Sequence, residues 1–249
     1  MRIFLFTKRN IKEILRDPVN LFFSLGFPLV LLVLLSIINS AIPPEAKNTM
    51  FQINYLAPGL AMFGSVFMAL FAGMLLSKDR TSSFLMRLFT SPMTAMDFIL
   101  GYTLPMIVMT IMQTTLTLLV ASAFGLELTI NILFAIILTV LTSLLFVGIG
   151  LFCGSLLNDK AVGGVCGALL TNIAGWLSGV FIPIDLIGGT FKTITHLLPF
   201  YHSVEVIKIA LSGNFSPIFP HLIIVMGYTV AIFTLAIIAF NHKASGEKA

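Results

Sequence analysis

Six long apolar stretches, each near the ~20 residues a bilayer core requires, alternate with short polar connections along this chain. The pattern predicts membrane crossings over residues 21–41, 55–77, 98–124, 130–153, 162–182 and 218–240. Pro28 and Pro105 fall inside crossings and predict kinks where neighbouring groups satisfy the freed carbonyls. Residues 1–17 read differently. Phe4, Ile11, Ile14 and Leu15 recur at helical spacing, while Lys8, Arg9, Lys12, Glu13 and Arg16 occupy the rest. That is the pattern of an amphipathic helix lying in the headgroup plane. Asp17-Pro18 ends it, because a residue before proline is pushed out of the α region.

Residues 183–217 are too apolar for a solvated loop and too long for a tight turn. They divide into pieces at 186–197 and 200–211, broken at Pro199 and ended at Gly213-Asn214. Each piece is too short to span, which predicts a re-entrant helical hairpin on the outer side, between the fifth and sixth crossings. The predicted fold class is therefore all-α integral membrane. It is a single transmembrane domain over residues 1–249, with six transmembrane helices, an N-terminal interfacial helix and the outer hairpin.

Charge orients this arrangement. Eleven of the 14 Lys and Arg residues share one side: Arg2, Lys8, Arg9, Lys12, Arg16, Lys78, Arg80, Arg87, Lys160, Lys243 and Lys248. Only Lys47, Lys192 and Lys208 fall on the other. Retained cations mark the cytoplasmic face, so a multi-pass protein of the cell membrane with both termini inside is expected. A seventh crossing would put Lys243 and Lys248 outside, against that rule. With 58% hydrophobic and 10% charged residues the chain cannot make a water-soluble surface. The net charge of +4 is spread over membrane-edge loops facing anionic lipid, and no nucleic-acid partner is expected.

The candidate chemistry is sparse. No GxxxxGK[ST] phosphate loop occurs, so the chain has no nucleotide cradle of that kind. Every acidic residue, Asp79 included, is read at a segment boundary or in a loop, whereas an ion-coupled carrier usually keeps one near the midplane. Powered movement would then need energy from another subunit. Gly163 and Gly167, then Gly175 and Gly179, stand four apart and are read as helix-packing positions. Gln113 with its neighbouring threonines, Asn39 and Asn172 are read as interhelical partners or as lining of a path. Cys153 and Cys166 read as small buried hydrophobes. His196, His202 and Glu205 lack an evident third ligand, so no metal is assigned.

Four stretches together resemble the permease subunit of an ABC-2 type exporter, in the bacterial multidrug-type branch. They are Arg16-Asp17-Pro18 with Pro28; Asp79-Arg80 through Arg87-Leu88 to Ser91-Pro92 and Gly101; Ser178-Gly179-Val180-Phe181-Ile182-Pro183; and Leu198-Pro199-Phe200-Tyr201-His202 with Glu205 and Lys208. One departure is Lys78-Asp79-Arg80-Thr81-Ser82-Ser83, which keeps one acid and lacks the glycine common in the first loop, and leans away from the polysaccharide-exporting branch.

The resemblance implies an ATPase-contacting surface built from the N-terminal helix and a short helix over 81–90, with Arg9, Arg16, Asp79, Arg80, Phe84, Arg87 and Leu88. Asp159 and Lys160 would make a second, smaller contact. It further implies a substrate path between two permease subunits near Asn39 and Asn172, with Phe63 and Phe67 either lining it or, the plainer reading, facing lipid or packing. The partners implied are ABC ATPase subunits, a second permease (homodimer or heterodimer), membrane lipid and a small amphipathic substrate, drug-like or lipid-like, moved outward. No cofactor is expected in this chain; ATP and Mg are expected on the ATPase. Two other classes compete: a non-transporting membrane sensor or assembly partner, and an intramembrane serine protease using Ser178, whose flanking pattern and distant histidines fit poorly.

Overall fold

The computed structural model describes residues 2–43, 49–82 and 94–246. Helix α1 spans Arg2–Leu15, and the chain turns at Asp17, whose carboxylate caps α2 (Pro18–Ala41) by accepting the Asn20 N–H at 3.1 Å. Pro28 acts where the sequence predicts a kink. Its ring crowds the carbonyl one turn back, and the helix widens to a π turn over Phe22–Gly26 immediately before it.

The remaining helices are α3 (Ile53–Thr81), α4 (Ala95–Ala123), α5 (Asn131–Leu156), α6 (Asp159–Leu177), the short α7 (Ile184–Ile187) and α8 (Gly189–Leu197), α9 (Pro199–Ser212) and α10 (Ile218–Gly246). No strand occurs among the described residues. Six helices are long and apolar enough to cross a membrane: α2, α3, α4, α5, α6 and α10. Over 183–217 the helices break at Leu198-Pro199 and stop at Gly213, whose φ of +74° is the left-handed cap glycine adopts most readily. Helix α9 is tucked into the bundle, with the Phe200 ring stacked 6.0 Å from that of Phe146 in α5.

Helix α3 is the axis. Its most apolar window is 89% buried, against 22% for α2 and 17% for α10. Its sequence explains this, since Gly59, Ala61, Gly64, Ser65, Ala69, Ala72 and Gly73 let neighbours approach from several sides. The closest approach is to α5. A Cβ on Gly73 would lie 2.7 Å from the Gly150 carbonyl oxygen, and one on Gly154 would lie 2.5 Å from the Gly73 carbonyl oxygen. A Cβ on Gly150 would run into the carbonyl of Ala69. On the α4 side, the Gln113 amide occupies the space that Gly64 leaves open and donates to Thr117 Oγ1 at 3.1 Å.

Backbone-to-backbone approach within the chain thus lies at Gly73, Gly150 and Gly154, and the four glycines singled out by spacing differ among themselves. A Cβ on Gly163 would meet nothing within 4 Å, and one on Gly167 would make ordinary contact with Leu70 at 3.4 Å. Gly175 makes room for the Phe181 ring, 2.8 Å from where its Cβ would be. Gly179 is not helical at all: its φ is +82° in the turn after α6, and its carbonyl accepts the Tyr55 hydroxyl. Gly163–Leu170 is π-helical, with Thr171 Oγ1 donating to the Cys166 carbonyl at 3.1 Å.

Two boundaries differ from the apolar pattern for physical reasons. Helix α3 has 29 residues, roughly 43 Å at ~1.5 Å each, well beyond a ~30 Å hydrocarbon core. Lys78, Asp79 and Arg80 therefore continue the helix instead of opening a loop, and Asp79 is only 4% exposed. Helix α6 likewise begins at Asp159, because Asn158 caps it by accepting the Ala161 N–H at 2.9 Å.

Candidate functional site: a polar node joining the N-terminal helix to the bundle

The node begins with a proline. Pro105 has no N–H, so within α4 the Gly101 carbonyl lacks its usual i+4 donor. Asn10 of α1 supplies one, donating Nδ2 to that carbonyl at 3.0 Å. Gly101 also has no side chain, and the Phe6 ring fills the place a Cβ would take. Phe6 packs edge-on against Tyr102 at 5.0 Å and Phe98 at 5.8 Å, and Phe98 touches Phe240 at 5.6 Å. Helix α1 and the end of α10 therefore both pack on Phe98 of α4, at one end of the bundle.

This changes the face by which α1 packs. Phe6, Thr7, Asn10 and Ile14 are buried, while Phe4 and Leu15, expected on the apolar face, are 72% and 50% exposed. A helix chosen for its apolar stripe alone would not bury Asn10. It is buried because both ends of its amide are used, Oδ1 accepting from Arg9 at 2.9 Å.

Arg9 then closes on α3. Its guanidinium donates to both Asp79 oxygens, at 2.5 and 2.8 Å, and pairs with Glu13 at 3.1 Å. Tyr102 of α4 donates its hydroxyl to Asp79 at 2.8 Å. Burial works against the charge on Arg9, but the hydrogen bond and negative charge of Asp79 outweigh it and hold its pKa above the usual value. One carboxylate thus joins α1, α3 and α4.

The next residue faces another way. Arg80 donates Nη2 to the Leu157 carbonyl at 2.7 Å, and Ser77 Oγ donates to the same oxygen at 2.9 Å. Leu157 is the C-terminal cap of α5, where a cation also complements the helix dipole. The last turns of α3 thereby hold α1 and α4 on one side and the α5–α6 turn on the other.

The structure sorts the predicted coupling residues accordingly. Arg9, Asp79 and Arg80 tie α3 to its neighbours, Asp79 buried and the two arginines half-buried. Arg16 and Lys160 are exposed, and Asp159 is half-buried at the start of α6. Phe84, Arg87 and Leu88 lie outside the described residues. Sequence reasoning missed Phe6, Asn10 and Tyr102; the available signal was Pro105, which marks Gly101 as a carbonyl in need of a donor.

Of the predicted path residues, the Phe63 and Phe67 rings touch each other, centroids 5.7 Å apart, while Asn39 and Asn172 lie on other helices. Phe63 and Phe67 are buried in a ring cluster with Phe23, Phe27 and Phe181. Asn172 is exposed on α6 beside Leu169, Ile173 and Trp176, and donates to its own helix at Ala168. Asn39 lies near the far end of α2, its Oδ1 buried without a hydrogen-bond partner among the described residues. At that same far end, Ser178 Oγ accepts the Val180 N–H at 3.3 Å and has no histidine partner. His202 instead bonds His221, Nδ1 to Nδ1 at 2.7 Å, and the His196 carbonyl at 2.8 Å.

None of the curated proteins compared with the chain matches it. A sequence profile described as ABC-2 type transporter matches residues 1–211, which takes in α1, the node and all crossings but the last. The chain belongs to the ABC-2 type transporter family and is a multi-pass membrane permease component of an ABC transporter.

Proposed function

We propose that this permease moves an amphipathic drug-like or lipid-like compound outward, driven by ATP hydrolysis on a separate ATPase subunit. The observation that carries the reading is the Arg9–Asp79–Tyr102 node, which fixes α1 to the central helix at the end of the bundle rich in cations. Retained Lys and Arg support a cytoplasmic position for that end, on the side where ATP is available. The exposed cations Lys8, Lys12 and Lys160 form the rim that meets the ATPase, with Arg87 of the 81–90 segment as a further contact. The node passes the resulting movement of α1 to α3 and α4.

Export also needs a second permease subunit. The exposed faces of α2 (Val30, Leu34, Ile37) and α6 (Leu169, Ile173, Trp176) are apolar surfaces on which that subunit and the substrate path would lie, with Asn172 between them. A ligand or nucleotide shifts such an assembly only by its differential affinity for two states, so the node must exist in at least one of them and move with it. The test is co-expression with the ATPase, reconstitution in vesicles and measurement of ATP-dependent movement of an amphipathic fluorescent dye. Dye movement that requires both subunits and ATP is expected. Stimulated ATP hydrolysis without dye movement would favour a sensor instead.

A further inference from the structure

At the corner between α1 and α2, the last turns of α3 leave a hollow of about 310 Å³. Its wall is apolar at Phe71, Met74 and Leu75, and its rim carries Glu13, Arg16, Asp17 and Lys78. Along α3 the lining runs from Phe71 through Met74 and Leu75 to Lys78, about 10 Å of helix from apolar to cationic.

The four rim charges are not equally engaged. Asp17 accepts from the Asn20 N–H at 3.1 Å and from Asn20 Nδ2 at 2.8 Å. Glu13 is paired with Arg9 at 3.1 Å. The side chains of Arg16 and Lys78 are exposed and make no hydrogen bond or ion pair among the described residues. Two unengaged cations thus stand over an apolar wall, at the end of a membrane-spanning helix. Val19 and Phe22, 62% and 53% exposed, continue the apolar surface toward the bilayer.

We propose that this hollow holds the headgroup of a membrane phospholipid, its phosphate between Arg16 and Lys78 and its acyl chains running past Met74 and Phe71. Charge complementarity sets the phosphate, and the polarity gradient along α3 sets the direction of the chains. The site does not depend on transport or its direction.

The test uses the full-length chain, delipidated in non-ionic detergent and titrated with dioleoyl phosphatidylethanolamine, with bound lipid read by native mass spectrometry. Arg16→Gln or Lys78→Gln should each weaken retention about five-fold, and the double variant about thirty-fold. Met74→Trp, which fills the wall without touching a charge, should also weaken it, and serves if the charge variants fold poorly. Dioleoyl galactosylglycerol, with the same chains and no phosphate, should bind at least about ten-fold more weakly, as should glycerophosphoethanolamine, which has no chains. Equal binding by the galactolipid, or unchanged binding in both the double variant and Met74→Trp, overturns the proposal. Equal binding by glycerophosphoethanolamine overturns the lipid in favour of a soluble phosphate ester.

Discussion

Arg9 and Asp79, seventy residues apart, form a two-point ion pair that fixes an N-terminal surface helix to the buried axis of the bundle. Asp79 is 4% exposed, whereas the Arg9 side chain keeps 31% exposure. Removing the cation alone strands a buried carboxylate. Arg9→Ala should therefore destabilise the protein by about 2–3 kcal/mol, less than a fully buried pair because Arg9 is partly solvated. Replacing both, Arg9→Met with Asp79→Leu, removes the stranded charge and should recover part of that loss, the remainder being the Tyr102 hydroxyl and Asn10 Oδ1 that lose their partners. Denaturing-detergent titrations of the wild type and the two variants check this; a double variant no more stable than Arg9→Ala alone would count against the account.

The Asn10–Gly101 bond gives a second cycle. Asn10→Leu leaves the Gly101 carbonyl without a donor and should cost about 1–3 kcal/mol. Pro105→Ala restores a helical N–H to that same carbonyl. In the Pro105→Ala background, Asn10→Leu should then cost about 1 kcal/mol less. Equal costs in the two backgrounds would mean that Asn10 does not answer the proline.

Glycine positions separate packing within the chain from spacing alone. Gly150→Val forces α3 and α5 apart at the Ala69 carbonyl and should abolish folding or cost several kcal/mol, about 3 or more. Gly163→Ala meets open space and should lie within about 1 kcal/mol of the wild type. Yield and unfolding midpoint in detergent measure both, and a reversed order would contradict the packing described here.

His202 supplies the pH dependence. It is a donor at Nε2, facing the His196 carbonyl, so its Nδ1 accepts from His221 Nδ1–H. Burial, chiefly, lowers its pKa below the ordinary value, with the His196 side chain adding to that and the His196 carbonyl and Glu205 opposing it. A group with a lowered native pKa binds fewer protons folded than unfolded, so its contribution is intact above the unfolded value near ~6.5 and is lost as pH falls below it. The unfolding midpoint should drop as pH falls below about 6.5, and His202→Asn should flatten that dependence. A slope unchanged in the variant would assign the titration elsewhere.

Particular residues show how far the sequence carried the fold. The six crossings are legible because lipid demands long apolar runs, and Pro199 and Gly213 mark the breaks in 183–217 because proline fixes φ and glycine alone adopts a positive φ readily. The node was not legible in the same way. An apolar stripe through Phe4 and Leu15 describes a helix facing lipid, whereas Asn10 is buried only because Pro105, on a distant helix, leaves a carbonyl unsatisfied. Asp79 looked like a loop residue until partners on two other helices made its burial tolerable. Spacing points to glycines in and just after α6, but which glycine row brings backbones together depends on which helix is central, and that is a tertiary property.

The central claim is that the Arg9–Asp79 pair carries movement of α1 into the bundle, not merely stability. The most direct measurement is substrate transported per ATP hydrolysed, in vesicles holding the permease and its ATPase, for the wild type and for Arg9→Met with Asp79→Leu. The account predicts that assembly and ATP hydrolysis persist while transport per ATP falls about ten-fold or more, a coupling of about 1.4 kcal/mol. An unchanged ratio in that stably folded variant would contradict it.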